Sequence, residues 1–215
     1  MEEDERDAAL EQFRSRLLLS FPGDQYTHRA AEDRFLRQQG DLSWTFGLGL
    51  SVYQDSFAIR PTASVRHRRV EQIFHSVLGT PNSVQETSPT VLWSWALETR
   101  TPRRTSFTVE RKKQALQAVE FTEHFFSKWV EPFFREHSDL EAISDSFNDG
   151  GAILRAQHFM DWFDLLGRAL IAARLTRRGD YDVLKNEYRR AFEARKSSHP
   201  LSSFDTLIRV LDEAA

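Results

Sequence analysis

Two groups of potential metal ligands lie at helical spacing in this sequence. Glu120 and His124 are four residues apart, and His158, Asp161 and Asp164 share one predicted helix. A metal site needs three or four ligands converging with suitable geometry. Ligands at helical spacing recur often by chance, so both groups read as ordinary helix surface and no metal or cofactor is expected. Gly47-Leu48-Gly49 lacks the third glycine of a phosphate-binding turn and lies inside a predicted strand, not at its exit. These glycines read instead as a flat patch that another element approaches closely. The chain has no Cys, which excludes thiolate catalysis, thiolate metal sites and disulfides. Neither a Gly-x-Ser-x-Gly elbow nor a His-Glu-x-x-His pair is present.

The strongest enzymatic signal is Glu110-Arg111-Lys112, which follows one predicted strand, with Glu98 ending the strand before it. A carboxylate followed by Glu-x-Lys on a neighbouring strand can hold Mg²⁺ while the Lys supports an attacking water, the chemistry of metal-dependent nucleases. Strand geometry opposes that reading. If the two strands form a hairpin, Glu98 lies beside the turn and Glu110 at the far end, on the order of 16 Å away. Two carboxylates so separated cannot share one ion, so no catalytic residue is assigned.

The remaining candidates are basic. Arg66-His67-Arg68-Arg69 opens a predicted helix, where cations oppose the helix dipole. Arg100, Arg103, Arg104, Arg111, Lys112 and Lys113 flank the last predicted strand. We take Arg66, Arg68, Arg69 and these six as candidate binding residues facing an acidic partner. Nearby Tyr53, Trp93 and Trp95 would add stacking to a nucleic-acid site. The overall balance is 29 basic against 32 acidic side chains, a net charge of −3, whereas a general phosphate-binding surface would push it positive. A protein partner is therefore expected first, and nucleic acid second.

The elements that must carry these residues follow from periodicity. Ala9, Leu10, Phe13 and Leu17 make one apolar helical stripe over residues 7–19, and the acidic residues 1–6 are expected to fray. Residues 27–38 read as a short helix or an extended segment. Leu42, Trp44, Phe46, Leu48, Leu50 and Val52 alternate with small or polar residues and predict one long strand. Phe57, Ile59, Ala63 and Val65 predict its antiparallel return, edged or bulged at Pro61. A helix over 66–78 with Val70, Ile73, Phe74 and Val77 on its stripe precedes a loop over 80–90. Val91, Trp93, Trp95 and Leu97 predict the next strand, and Phe107 and Val109 a shorter one.

From residue 110 onward the pattern is helical. Leu116, Val119, Phe125, Phe126 and Trp129 share one long helix that Pro132 interrupts. Asp139 caps a short helix carrying Leu140, Ile143 and Phe147, and Gly150-Gly151 marks a joint. An apolar helix with Phe159, Trp162, Phe163, Leu166, Leu170 and Ile171 runs to Gly179. Two amphipathic helices follow, with Tyr181, Leu184, Tyr188 and Phe192 on one and Phe204, Leu207, Ile208 and Leu211 on the other.

The expected class is α+β, a small antiparallel sheet packed against a mostly helical C-terminal half. We read residues 7–215 as one domain, sheet-rich over 7–109 and helical over 110–215; the alternative is two lobes hinged near Glu110 or Gly150-Gly151. With 17 Phe and five Trp, the chain is too aromatic for extensive disorder. The acidic start and the lack of a long uncharged apolar run predict a cytoplasmic protein without a membrane span.

This order of elements, with Phe35-Leu36, Val65-Arg66 and Glu131-Pro132-Phe133-Phe134, resembles a family of uncharacterised bacterial cytoplasmic α+β proteins of the immunity-like kind. The resemblance covers residues 7–211. It implies a non-enzymatic inhibitor, immunity protein or adaptor made in bacterial defence. It carries over no catalytic residue.

Overall fold

The computed structural model describes residues 1–21, 23, 25–94, 106–149, 162–194 and 198–213. Its class is α+β, with helices and two antiparallel sheets. The chain forms two compact units, Met1–Val65 with Leu92–Arg135, and Arg66–Val91 with Glu136–Ala215.

In the first unit, α1 spans Glu3–Ser20. It buries the predicted stripe of Ala9, Leu10, Phe13 and Leu17. The acidic residues expected to fray instead form its first turn, where Glu3, Asp4 and Glu5 oppose the positive end of the dipole. The 27–38 region is extended, as β1 (Thr27–Arg29) and β2 (Arg34–Gln39) around a short 3₁₀ turn.

The long strand expected over 42–52 breaks into β3 (Leu42–Gly47) and β4 (Ser51–Val52), and its return into β5 (Phe57–Ile59) and β6 (Thr62–His67). The hairpin is therefore bent between two sheets. One runs β1-β2-β3-β6-β7, with β7 at Val91–Ser94; the other runs β4-β5-β8, with β8 at Phe107–Val109. Gly49 makes the corner with φ +49°, and a Cβ there would lie 2.8 Å from the Arg60 carbonyl oxygen. A Cβ on Gly47 would meet Thr62 Oγ1 at 2.8 Å. Close approach is thus what both glycines permit, as their strand context predicted. Pro61, which cannot donate to a ladder, sits between β5 and β6 at the opposite corner.

Among the described residues, β7 and β8 do not pair with each other as a hairpin. β7 joins β6, whereas β8 pairs with β5 through Phe57↔Val109 and Ile59↔Phe107. Trp95, Leu97 and Glu98 lie outside the described residues.

Helix α4 (Gln114–Phe125) packs on α1 and buries Ala115, Ala118, Val119, Thr122 and Phe125. Leu116, on the same helix, is 46% exposed. The helix does not stop at Pro132. It widens into a π-helical segment, Phe126–Val130, before α5 (Glu131–Glu136). Proline in the first turn of α5 lacks the N–H that an α-helical ladder would ask for, and the wider turn lets the chain pass. The core beside it is aromatic: the Phe21 ring stacks on Phe35 at 4.2 Å and meets Phe126 edge-on at 4.8 Å.

The second unit is helical. It holds α2 (Arg68–Leu78), α3 (Asn82–Thr87), α6 (Leu140–Asn148), α7 (Trp162–Leu175), α8 (Tyr181–Glu193) and α9 (Leu201–Glu213). Helix α3 lies where a loop was expected. Asp139 caps α6 as predicted, its Oδ1 accepting from Ala142 N at 2.7 Å. Helix α7 ends at Leu175, four residues before Gly179, because Arg177 takes a left-handed conformation at φ 56°. It is the hub, packed on α2, α6, α8 and α9. A Cβ on Gly167 would stand 2.9 Å from the Phe74 ring and 3.4 Å from Leu207, so only glycine lets three helices meet there.

Candidate functional site

The stripe predicted for α2 places Ile73 and Val77 only half-buried, while Glu71 and His75 are fully enclosed. These two residues belong to a buried polar cluster within the second unit. Glu71 has no exposed surface, and Arg168 from α7 is 4% exposed. The guanidinium grips the carboxylate with both prongs, Nε to Oε1 at 2.8 Å and Nη2 to Oε2 at 2.9 Å. Thr90 donates its hydroxyl to Oε1 at 2.8 Å and accepts from the His67 backbone N–H at 2.9 Å. His75 Nε2 stands 3.3 Å from Glu71 Oε2 without completing a well-aligned hydrogen bond. Its Nδ1 meets Thr80 Oγ1 at 2.6 Å. The Arg168 cation also lies over the Phe74 ring at 4.0 Å.

Burial pushes the Glu71 carboxyl upward, but His75, Arg168 and Thr90 outweigh it and hold its pKa below the ordinary carboxylate range. The carboxylate is thus ionised, and it accepts three hydrogen bonds in a site sealed from solvent. The cluster therefore holds α2, Thr90 and α7 in one register.

None of the cluster was singled out from the sequence. Its signals were a lone Arg inside the apolar run of α7 and a Glu–His pair at i, i+4 one position along from Val70 and Phe74.

The predicted basic residues are dispersed. In the second unit, Arg66 is half-buried and donates to the Gln85 carbonyl at 2.9 Å through Nη2, which ties it to α3. Arg68 and Arg69 are exposed in the first turn of α2. In the first unit, Arg111, Lys112 and Lys113 are all exposed just before α4, and the Gln114 side chain accepts from the Glu110 and Arg111 N–H groups at 2.8 and 2.9 Å. Arg100, Arg103 and Arg104 lie outside the described residues, as do His158, Asp161 and the Gly150-Gly151 joint. Among the described residues no three His, Asp or Glu side chains are grouped to hold a metal ion.

No family model matches the chain, and no curated protein or solved structure is significantly similar to it.

Two surface features of the first unit stand out. The β4–β5 turn presents Val52 and Tyr53, each half exposed. It is closed by Tyr53 N–H to the Ser56 carbonyl at 2.9 Å. It is braced from α1 by Arg6, whose Nη1 donates to the Tyr53 and Gln54 carbonyls at 2.9 and 3.2 Å. The second is a groove of about 510 Å³ between the end of α1 and the outer face of α4, reaching the π-helical segment. Phe21 and Phe126 line it, with Ser20, Glu120, Glu123 and His124 around them. Glu123 accepts a hydrogen bond from the Ser20 hydroxyl.

Among the described residues no helix is long and apolar enough to cross a membrane.

Proposed function

We propose that this chain is a non-enzymatic protein-binding protein, an inhibitor, immunity protein or adaptor of the bacterial cytosol. The observation that carries this reading is the braced turn at Val52-Tyr53. An exposed tyrosine beside an exposed valine is the kind of anchor that dominates protein interfaces. Arg6 fixes the backbone behind it, so little ordering entropy is lost when a partner closes over it. Within the same unit, the exposed cations Arg111, Lys112 and Lys113 support the reading as electrostatic guides toward an acidic surface of the partner. The resemblance set out from the sequence supplies the bacterial setting.

The test is affinity capture with the full chain, comparing wild type with Tyr53→Ala and with a triple reversal of Arg111, Lys112 and Lys113 to Glu. The expected result is a stoichiometric protein partner, lost with Tyr53→Ala and weakened by the reversal. No stoichiometric partner, together with steeply salt-dependent binding of labelled DNA, would overturn the reading in favour of a nucleic-acid-binding protein.

A further inference from the structure

We infer that the groove between the end of α1 and the outer face of α4 receives a basic amphipathic segment of the partner protein. This rests on the protein-binding reading and names the partner's chemistry at a second surface. The floor is aromatic, with Phe21 and Phe126 meeting edge-on at 4.8 Å. Leu19, in the same final turn of α1 as Ser20, is 80% exposed, the most exposed large apolar side chain described. An apolar residue of the partner would seat there.

The rim is acidic. Glu120 forms no hydrogen bond or ion pair among the described residues, and Glu123 is engaged only by the neutral Ser20 hydroxyl. The nearest lysine along the helix, Lys128, lies over the Trp129 ring at 5.1 Å. Two carboxylates beside an aromatic floor complement a Lys or Arg side chain. Its aliphatic stem would lie on the rings and its head would reach the carboxylates. At about 510 Å³ the groove takes a few side chains, not a folded domain. A cationic residue flanked by a leucine-like one fits both its volume and its polarity.

The experiment titrates the isotope-labelled full chain with a short Lys/Leu amphipathic peptide and, separately, with its Glu/Leu counterpart. The readout is amide shifts, for wild type and for Glu120→Gln/Glu123→Gln. Both positions are exposed and Gln still accepts from Ser20, so the variant folds. The expected result is saturable shifts confined to Leu19–Phe21 and Glu120–Ser127 with the Lys/Leu peptide. Affinity should fall about tenfold or more in the double variant, and the Glu/Leu peptide should not bind. Equal binding of both peptides, shifts elsewhere, or no effect of the double variant would overturn the proposal. A partner captured equally by wild type and the double variant would also overturn it, while leaving the protein-binding reading intact. Absence of any partner would sink that reading, and the peptide titration would still decide the groove.

Discussion

Two arginine–carboxylate clusters of the second unit share similar contact distances in very different surroundings. Arg168 holds Glu71 at 2.8 and 2.9 Å with both residues sealed from solvent. Arg178 holds Asp145, Asp149 and Asp180 at 2.7, 2.6 and 2.9 Å, but those carboxylates are 46–61% exposed. Distance alone would rank the Arg178 cluster higher, since it gathers three partners. Water reverses the ranking. The exposed carboxylates are solvated with or without Arg178, whereas Glu71 has only Arg168, Thr90 and His75 in place of water. The buried pair therefore sets which arrangement of α2 and α7 is allowed, and the exposed hub adds a modest tether between helix ends.

The largest expected effect is on the buried pair. Arg168→Met leaves Glu71 buried without its cation and should cost about 3–5 kcal/mol in urea-monitored unfolding. Adding Glu71→Leu should restore at least half of that loss, and a double variant no better than the single one would break the comparison.

Acidification probes the same carboxylate. Its folded pKa is depressed, so its contribution is complete above the ordinary carboxylate range and is lost as pH falls through that range toward the lower folded value. A stability–pH profile should show this acid limb in wild type and a flatter one in Arg168→Met. Identical limbs would place the acid sensitivity elsewhere.

Asp139→Ala removes the only contact made to Ala142 N by the α6 cap and should cost about 1 kcal/mol in the same assay. The smallest effect is expected for Arg178→Ala, below about 1 kcal/mol and smaller still in high salt, while the Arg168→Met penalty should barely respond to salt.

Helix-by-helix, much of this fold was legible. The stripes Ala9-Leu10-Phe13-Leu17 and Tyr181-Leu184-Tyr188-Phe192 are buried as their 3.6-residue period requires, and Asp139 caps as its chemistry suggests. Alternation could not reveal that the 42–52 strand bends, because the bend comes from the backbone of Gly49 and the pinch at Arg60, which leave the alternating side chains unchanged. Nor could local pattern pair β8 with β5 in place of β7, since that choice is made by contacts far apart in sequence. The Glu71 cluster was hidden for the same reason: Arg168 lies 97 positions from its partner, and an apolar-stripe reading of α2 passes over polar residues that turn inward. The surface features were the least legible. Val52 looked like one more alternating core position, and only the turn geometry sends Val52 and Tyr53 outward.

The buried charges act as scaffolding, and the proposed binding belongs to the surface of the first unit. The most direct test is the amount of partner captured by a folded Glu71→Leu/Arg168→Met variant beside Tyr53→Ala. Wild-type stoichiometry is expected for the first and loss for the second. Capture that survives Tyr53→Ala but disappears in the folded interior variant would contradict this division.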